Sequence, residues 1–407
     1  MKNKILSFLL ACTVVGTPLT AATYYSDPKN GKDSNPGTES APWPGLEEIA
    51  SSGLLNELVG GDTLLLQSGY HGKPKFSGDH DSPVIIDAAK DAKPQLGTLT
   101  IPSGSNWTIR NLAISPSFFE EPFRGNIVIL GENGQSNNLV IENCHIFSTE
   151  DTSNWGVMEW RKAPEGILLG RHGSNLTARN NYLENLRFGI TVNSPDSLLE
   201  GNVVSDFSGD GIRLTRDNIT AAYNVIKNVY VSAADGDKNH DDAIQCFLFN
   251  EGTGTVRNLN VHHNLINMRE NPDQPFPATF HGIGFFDGPL VGFKVEDNVV
   301  ALANWHGVSL YDGQDSLIAN NVVYNPWGGK FTPWIMLGTK KNEAHGNTMR
   351  DNFAEEFKFE GNKDAERSGN EKIDPVIYEE RAEKLLNEIN EKFGETHPVS
   401  GKTRVKK

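Results

Sequence analysis

The sequence predicts an all-β protein, a single-domain right-handed parallel β-helix with a capping helix at its N-terminal end and a helix near its C-terminus. Three observations carry this. Short segments of alternating apolar and polar residues, the period of a half-buried strand, recur from about residue 106 onward. A second series of such segments interleaves with the first in a shared register. No helical pattern separates them, and repetition at this length is the signature of a solenoid.

Residues 1–22 read as a secretory signal. Lys2 and Lys4 form a basic start, Ile5 to Val15 an apolar core, and Thr20-Ala21-Ala22 a small-residue cleavage site. A lipoprotein reading at Leu9-Leu10-Ala11-Cys12 is the weaker one, because the apolar run continues past Cys12. No other apolar run is long enough to span a bilayer. The mature chain is therefore expected to be secreted or periplasmic, with no membrane partner and as a monomer. The chain has 407 residues, a net charge of −15 and three cysteines. Such an acidic balance argues against nucleic acid as a partner. Cys144 and Cys246 are expected to be buried free thiols, since the repeat holds them several turns apart.

A single β-helix domain is expected over residues 23–372. Pro44 to Leu58 reads as a short amphipathic helix that lids the first turn, because an open solenoid end exposes strand edges. The first series then runs NWTIRNLAI (106–114), NLVIENCHI (138–146), NLTARNNYL (175–183), SLLEGNVV (197–204), NITAAYNVI (218–226), NLNVHHNLI (258–266), GFKVEDNVV (292–300), SLIANNVV (316–323) and NEAHGNTM (342–349). In it, Asn181, Asn202, Asn224, Asn264, Asn298, Asn321 and Asn347 recur at one place, read as a stack of turn asparagines that suits αL geometry. The sequons at Asn106, Asn175 and Asn218 fall in this series and are expected to be unglycosylated. Residues 373–407 should form a helix from Tyr378 to Phe393, followed by a disordered basic tail.

The second series runs GILLG (166–170), FGITVN (188–193), DGIRLT (210–215), DAIQCF (242–247), HGIGFF (281–286), HGVSLY (306–311) and PWIMLG (333–338). Aligned on the central Ile or Val, Glu165, Phe188, Asp210, Asp242, His281, His306 and Pro333 form one column. Leu168, Thr191, Arg213, Gln245, Gly284, Ser309 and Met336 form an outward one. No lysine falls in these columns. Insertions at 229–241 and 267–280 flank the middle turns, and the first delivers Lys238, His240, Asp241 and Asp242 to the mouth of a strand. Loops held on rigid strands are where chemistry usually sits.

Asp before Gly is also a common turn residue, and His-Gly can be repeat grammar. Arg213, outward beside an acidic column, suits an anionic group. Arg213, Lys238, His240, His281 and Tyr311 supply the cation, base and acid of β-elimination from a uronide. Asp210, Asp241, Asp242, Gln245, Arg216 and His306 are the candidate substrate contacts. Trp155, Trp160, Phe286, Trp305 and Tyr311 are candidates for stacking on sugar rings. Inverting hydrolysis by Asp210 with Asp241 or Asp242 remains open, as does a non-catalytic carbohydrate-binding β-helix. Calcium on Asp210, Asp241 and Asp242 is a candidate cofactor, hard cations favouring such oxygen clusters.

YYSDPKNGKDSNPGTESAPWPGLEEI followed by GGDTLLLQSGYHG resembles the entry segment of secreted β-helix enzymes acting on polysaccharides. The run SGDGIRLTRDN, GDKNHDDAIQ, FHGIGFFDG, WHGVSLYDG and PWIML is similar to exported bacterial alginate lyases of polysaccharide lyase family 31. The resemblance implies eliminative cleavage of an acidic, uronic-acid polysaccharide. The order Asp210, Asp241-Asp242, His281-Gly282 also resembles polygalacturonases, whose Asn-Thr-Asp and Arg-Ile-Lys motifs are missing. The Asp-Pro-His-Asp motif of mannuronan C5-epimerases is absent.

Overall fold

The computed structural model describes residues 21–236, 240–247, 254–276 and 280–394. Residues 1–20 of the segment read as signal peptide, with Cys12, lie outside them, as do the basic tail and Lys238. No helix among the described residues is long and apolar enough to cross a membrane.

The chain coils through three parallel sheets in turn. One coil shows the plan: Leu198–Glu200 enters the first sheet, Val203–Phe207 the second and Ile212–Leu214 the third, before Thr220–Ala222 returns to the first. Each strand pairs with the same strand of the next coil, as Ile190↔Ile212↔Ile244↔Ile283↔Val308 shows in the third sheet. All five of these residues are fully buried in one continuous core. The first sheet begins already at Thr23–Ser26, which pairs with Thr63–Leu66.

At the corner between first and second sheets runs an asparagine ladder. Each of Asn181, Asn202, Asn224, Asn264, Asn298 and Asn321 donates its Nδ2 to the Oδ1 of the next at 2.9–3.0 Å. The same oxygen accepts the preceding asparagine's backbone N–H, so amides with no exposed surface are satisfied. Two expectations are corrected here. The ladder continues through Asn352 and Asn370, not Asn347, because Leu317–Ala319 pairs with Thr348–Arg350 and places Asn352 after it. The αL conformation belongs to the residue before each rung, such as Asn180, Tyr223 and His263. The asparagines at 106, 138 and 175 are themselves αL and form an outer ladder through their side chains.

The lid is shorter than the sequence suggests. An α-helix spans Leu46–Ser52, ends at the αL residue Gly53, and gives way to a 3-10 turn at Leu54–Glu57. The C-terminal helix, Pro375–Phe393, is capped by the Asp374 side chain. It lays Ala382, Leu385, Leu386 and Ile389 over Val225, Leu265, Val299 and Val322 of the second sheet. The helix thus covers a flank formed by the second sheet. Cys144 and Cys246 are free and buried.

Candidate functional site

A small residue precedes the central apolar one on five successive coils of the third sheet: Gly189, Gly211, Ala243, Gly282, Gly307. A Cβ on Gly211 would lie 2.6 Å from the Ala243 carbonyl and 2.8 Å from Ile226 Cγ2. Position 211 thus faces the core, as Ile212 does. Two inward positions in succession break the alternation, which puts both Asp210 and Arg213 on the outer side.

Asp210 Oδ2 accepts from Arg213 Nε at 2.5 Å, and its Oδ1 accepts the Asp242 backbone N–H at 2.9 Å. Burial raises the Asp210 pKa, with the Arg213 guanidinium opposing and the Asp242 charge adding to the rise. The Arg213 guanidinium lies 3.4 Å above the Phe188 ring. Only its Nε is bonded by Asp210, which leaves the fork of terminal nitrogens to an anionic ligand.

Asp242 has no exposed surface. Its Oδ2 meets His240 Nδ1 at 2.7 Å and accepts from Gln245 Nε2 at 2.9 Å, while Oδ1 meets His281 Nδ1 at 3.2 Å. Gly284 makes room for this: a Cβ there would sit 2.0 Å from Asp242 Oδ1. With Nδ1 on the carboxylate, His240 is assigned the tautomer that leaves Nε2 available, and its side chain is 39% exposed. Burial works to lower the His240 pKa, but the Asp242 hydrogen bond and charge outweigh it and hold the pKa above 6.5.

Next along the column stands His306, ring centroid 4.9 Å from that of His281. It is bonded to Ser309 Oγ at 2.9 Å and receives Trp334 Nε1 at 3.3 Å. Burial, then the neighbouring His281, lowers its pKa to about 4. Phe286 packs between His240, His306 and Tyr311. The Tyr311 hydroxyl donates to Met336 Sδ at 3.3 Å, a weak acceptor, and burial raises its pKa.

The coils therefore bring together Arg213, Asp210, Asp242, His240, His281, Gln245, His306 and Tyr311. Other candidates stand apart. Arg216 donates to the Asn193 carbonyl, and Asp241 is buried in register with Phe280. Of the aromatic candidates, Trp160 is buried, stacked on Tyr230 with Trp155 edge-on, and joins the 150–165 segment to the 229–236 insertion. Phe286 is buried and Trp305 is exposed.

Two residues escaped the alignment. A bulge between His306 and Val308 pairs His306 with Trp334, so Trp334, not Pro333, continues the column. A lysine does stand in the outward column: Met336 pairs with Lys358 on the Glu356–Glu360 strand. The alternation of EFKFE, with Phe357 and Phe359 packed on the core, was its signal.

Two of the three aspartates read as calcium ligands are already engaged by protein groups. Both Asp210 oxygens are taken by Arg213 and the Asp242 amide, and Asp242 is enclosed by two imidazoles. Among the described residues, the group whose ligand atoms lie within 4.8 Å of one another is His240, Asp242 and His281. Imidazole nitrogens in that set suit a borderline transition metal rather than calcium.

A family model described as a right handed beta helix region matches residues 165–349. No curated protein sequence matches the chain. Among solved structures, a mannuronic acid specific polysaccharide family 6 lyase from human gut microbiota superimposes with a TM-score of 0.51 at 11% identity, over 92% of this chain and 96% of that one. A GH136 lacto-N-biosidase from Eubacterium ramulus gives 0.51 at 15% identity, over 85% and 67%. One relative is a lyase and the other a glycosidase, so the likeness carries fold alone. The chain is a right-handed parallel β-helix.

Proposed function

We propose that the protein cleaves an acidic, uronic-acid polysaccharide by β-elimination. The observation that carries this is which groups of the cluster meet solvent. Asp210 and Asp242 are sealed within hydrogen bonds, whereas the Arg213 guanidinium and the His240 imidazole are partly exposed. A hydrolase working through Asp210 and Asp242 needs both carboxylates open to the glycosidic bond and to water. A lyase needs a cation on the substrate carboxylate and a base for the C5 proton, with an acid for the leaving oxygen.

In this reading Arg213 binds the uronate carboxylate and stabilises the charge that develops on it. His240 Nε2 removes the C5 proton, its ring held by Asp242. Tyr311, kept protonated by its raised pKa, gives a proton to the departing oxygen. The motif similarity to polysaccharide lyase family 31 supports an alginate-like polymer, and the β-helix fold is compatible with it.

Kinetics on alginate and pectate, followed through the unsaturated product, test the assignment. Arg213→Ala should lower turnover by about 10²-fold or more, the scale of losing one transition-state donor, and His240→Ala by at least as much. Near wild-type turnover in both variants would remove these residues from the mechanism.

A further inference from the structure

The third sheet runs on for two strands beyond His306–Tyr311, and the side chains there change character. Trp305 is 47% exposed, among the few large apolar side chains left open to water. Its ring lies parallel to that of Trp334, centroids 6.2 Å apart at 4°, with Phe331 edge-on at 5.1 Å. Lys358 Nζ sits 3.5 Å over Trp334, and Lys330 Nζ 4.9 Å over Phe331. Three aromatic rings and two ammonium groups thus share one ledge. It adjoins the site directly, since Trp334 Nε1 donates to His306 Nδ1.

The core does not need Trp305 where it stands. An aromatic cluster that opens to solvent at one ring points to a binding surface, and a flat indole face fits the apolar face of a pyranose ring. The two lysines select an anion, on a chain whose net charge is −15. Lys358, partly buried, reaches the exposed Glu356 only at 3.8 Å, a loose contact that leaves it able to turn to a ligand. Register adds a further point. The outward column runs Arg213, Gln245, Gly284, Ser309, Met336, Lys358. Its two end cations are five strand spacings apart, about 24 Å along the solenoid axis.

We propose that the ledge of Trp305, Phe331, Trp334, Lys330 and Lys358 is a binding subsite for an anionic polysaccharide, which lies along the solenoid axis from Arg213 toward the C-terminal coils. One sugar ring stacks on Trp305, and carboxylates of the bound chain meet Lys330 and Lys358. This rests on the uronate reading of the His240 cluster.

Affinity electrophoresis of the full chain in gels containing alginate, pectate or neutral dextran tests it, with His240→Ala as the background in which polymer survives. Retardation is expected in alginate or pectate and not in dextran. Trp305→Ala should weaken binding about tenfold, the cost of losing one aromatic anchor. Lys358→Gln should also weaken it and flatten its salt dependence, both variants keeping the parent's melting temperature. Unchanged affinity in both variants would overturn the ledge while leaving elimination by the wild type standing. Trp305-dependent binding together with a wild type that forms no unsaturated product would uphold the ledge and sink the elimination reading. Equal, Trp305-dependent retention by dextran would overturn the anionic class.

Discussion

The Asp242 carboxylate receives His240, His281 and Gln245 and reaches no solvent, so it acts through the groups it holds. Its removal should be visible in a pH profile. His240 must be unprotonated to take a proton, so turnover should rise with pH through a pKa above 6.5, the direction in which Asp242 moves it. In Asp242→Asn that raising influence is gone, and the acidic limb should move to lower pH as turnover falls. A limb that stays in place would mean that another group titrates. Gly284→Ala should mimic this loss without replacing an ionisable residue, because its Cβ would displace Asp242 Oδ1. The check is activity beside an unchanged circular dichroism spectrum. His306 gives a stability prediction. Its folded pKa, lowered to about 4, lies below the ordinary unfolded value, so the unfolded chain binds the proton first as pH falls. Stability should decline between about pH 6.5 and 4, and His306→Gln should flatten that decline in denaturant titrations. Of these groups, Asp210, Asp242, His281 and His306 were legible as one column. The flip that turns Asp210 outward was not, since it depends on Gly211 meeting the wall of the next coil.

At the scale of elements, the asparagine ladder joins coil to coil at one corner. Asn264→Ala would orphan the buried Asn224 backbone N–H and take one of the two bonds its Nδ2 donates, the other to the Leu199 carbonyl remaining. Unsatisfied buried donors cost roughly 1–3 kcal/mol each, so a loss of a few kcal/mol in denaturant unfolding is expected. A change below 1 kcal/mol would show that water replaces the rung. Most rungs could be read from sequence because they recur at steps of 21 to 23 residues where no loop intervenes. The last were misread because Asn347 and Asn352 both stand near the same strand, and only the pairing of Leu317–Ala319 chooses between them. The bulge at His306–Val308 hid Trp334 likewise, since a one-residue shift changes no local pattern.

For the whole molecule, the repeat made the solenoid legible, because each coil places like residues in like positions. How the ends and flanks are closed was less so. The lid breaks at Gly53 into two short pieces, and the C-terminal helix lies along the second sheet rather than across an end. The last strands, Glu356–Glu360, Glu366–Ser368 and Glu371–Lys372, instead carry charged side chains, a recognised way to blunt an exposed edge. With the second-sheet flank covered by the helix, the Arg213-to-Lys358 face of the third sheet is the proposed place for a long ligand. The central claim is the reaction there, and the most direct test is to digest alginate and pectate with the purified protein. Ultraviolet absorbance from the new conjugated double bond and the appearance of reducing ends would be followed together. Elimination predicts that the two rise in proportion from the first turnover. Reducing ends without that absorbance would mean hydrolysis and would contradict the account.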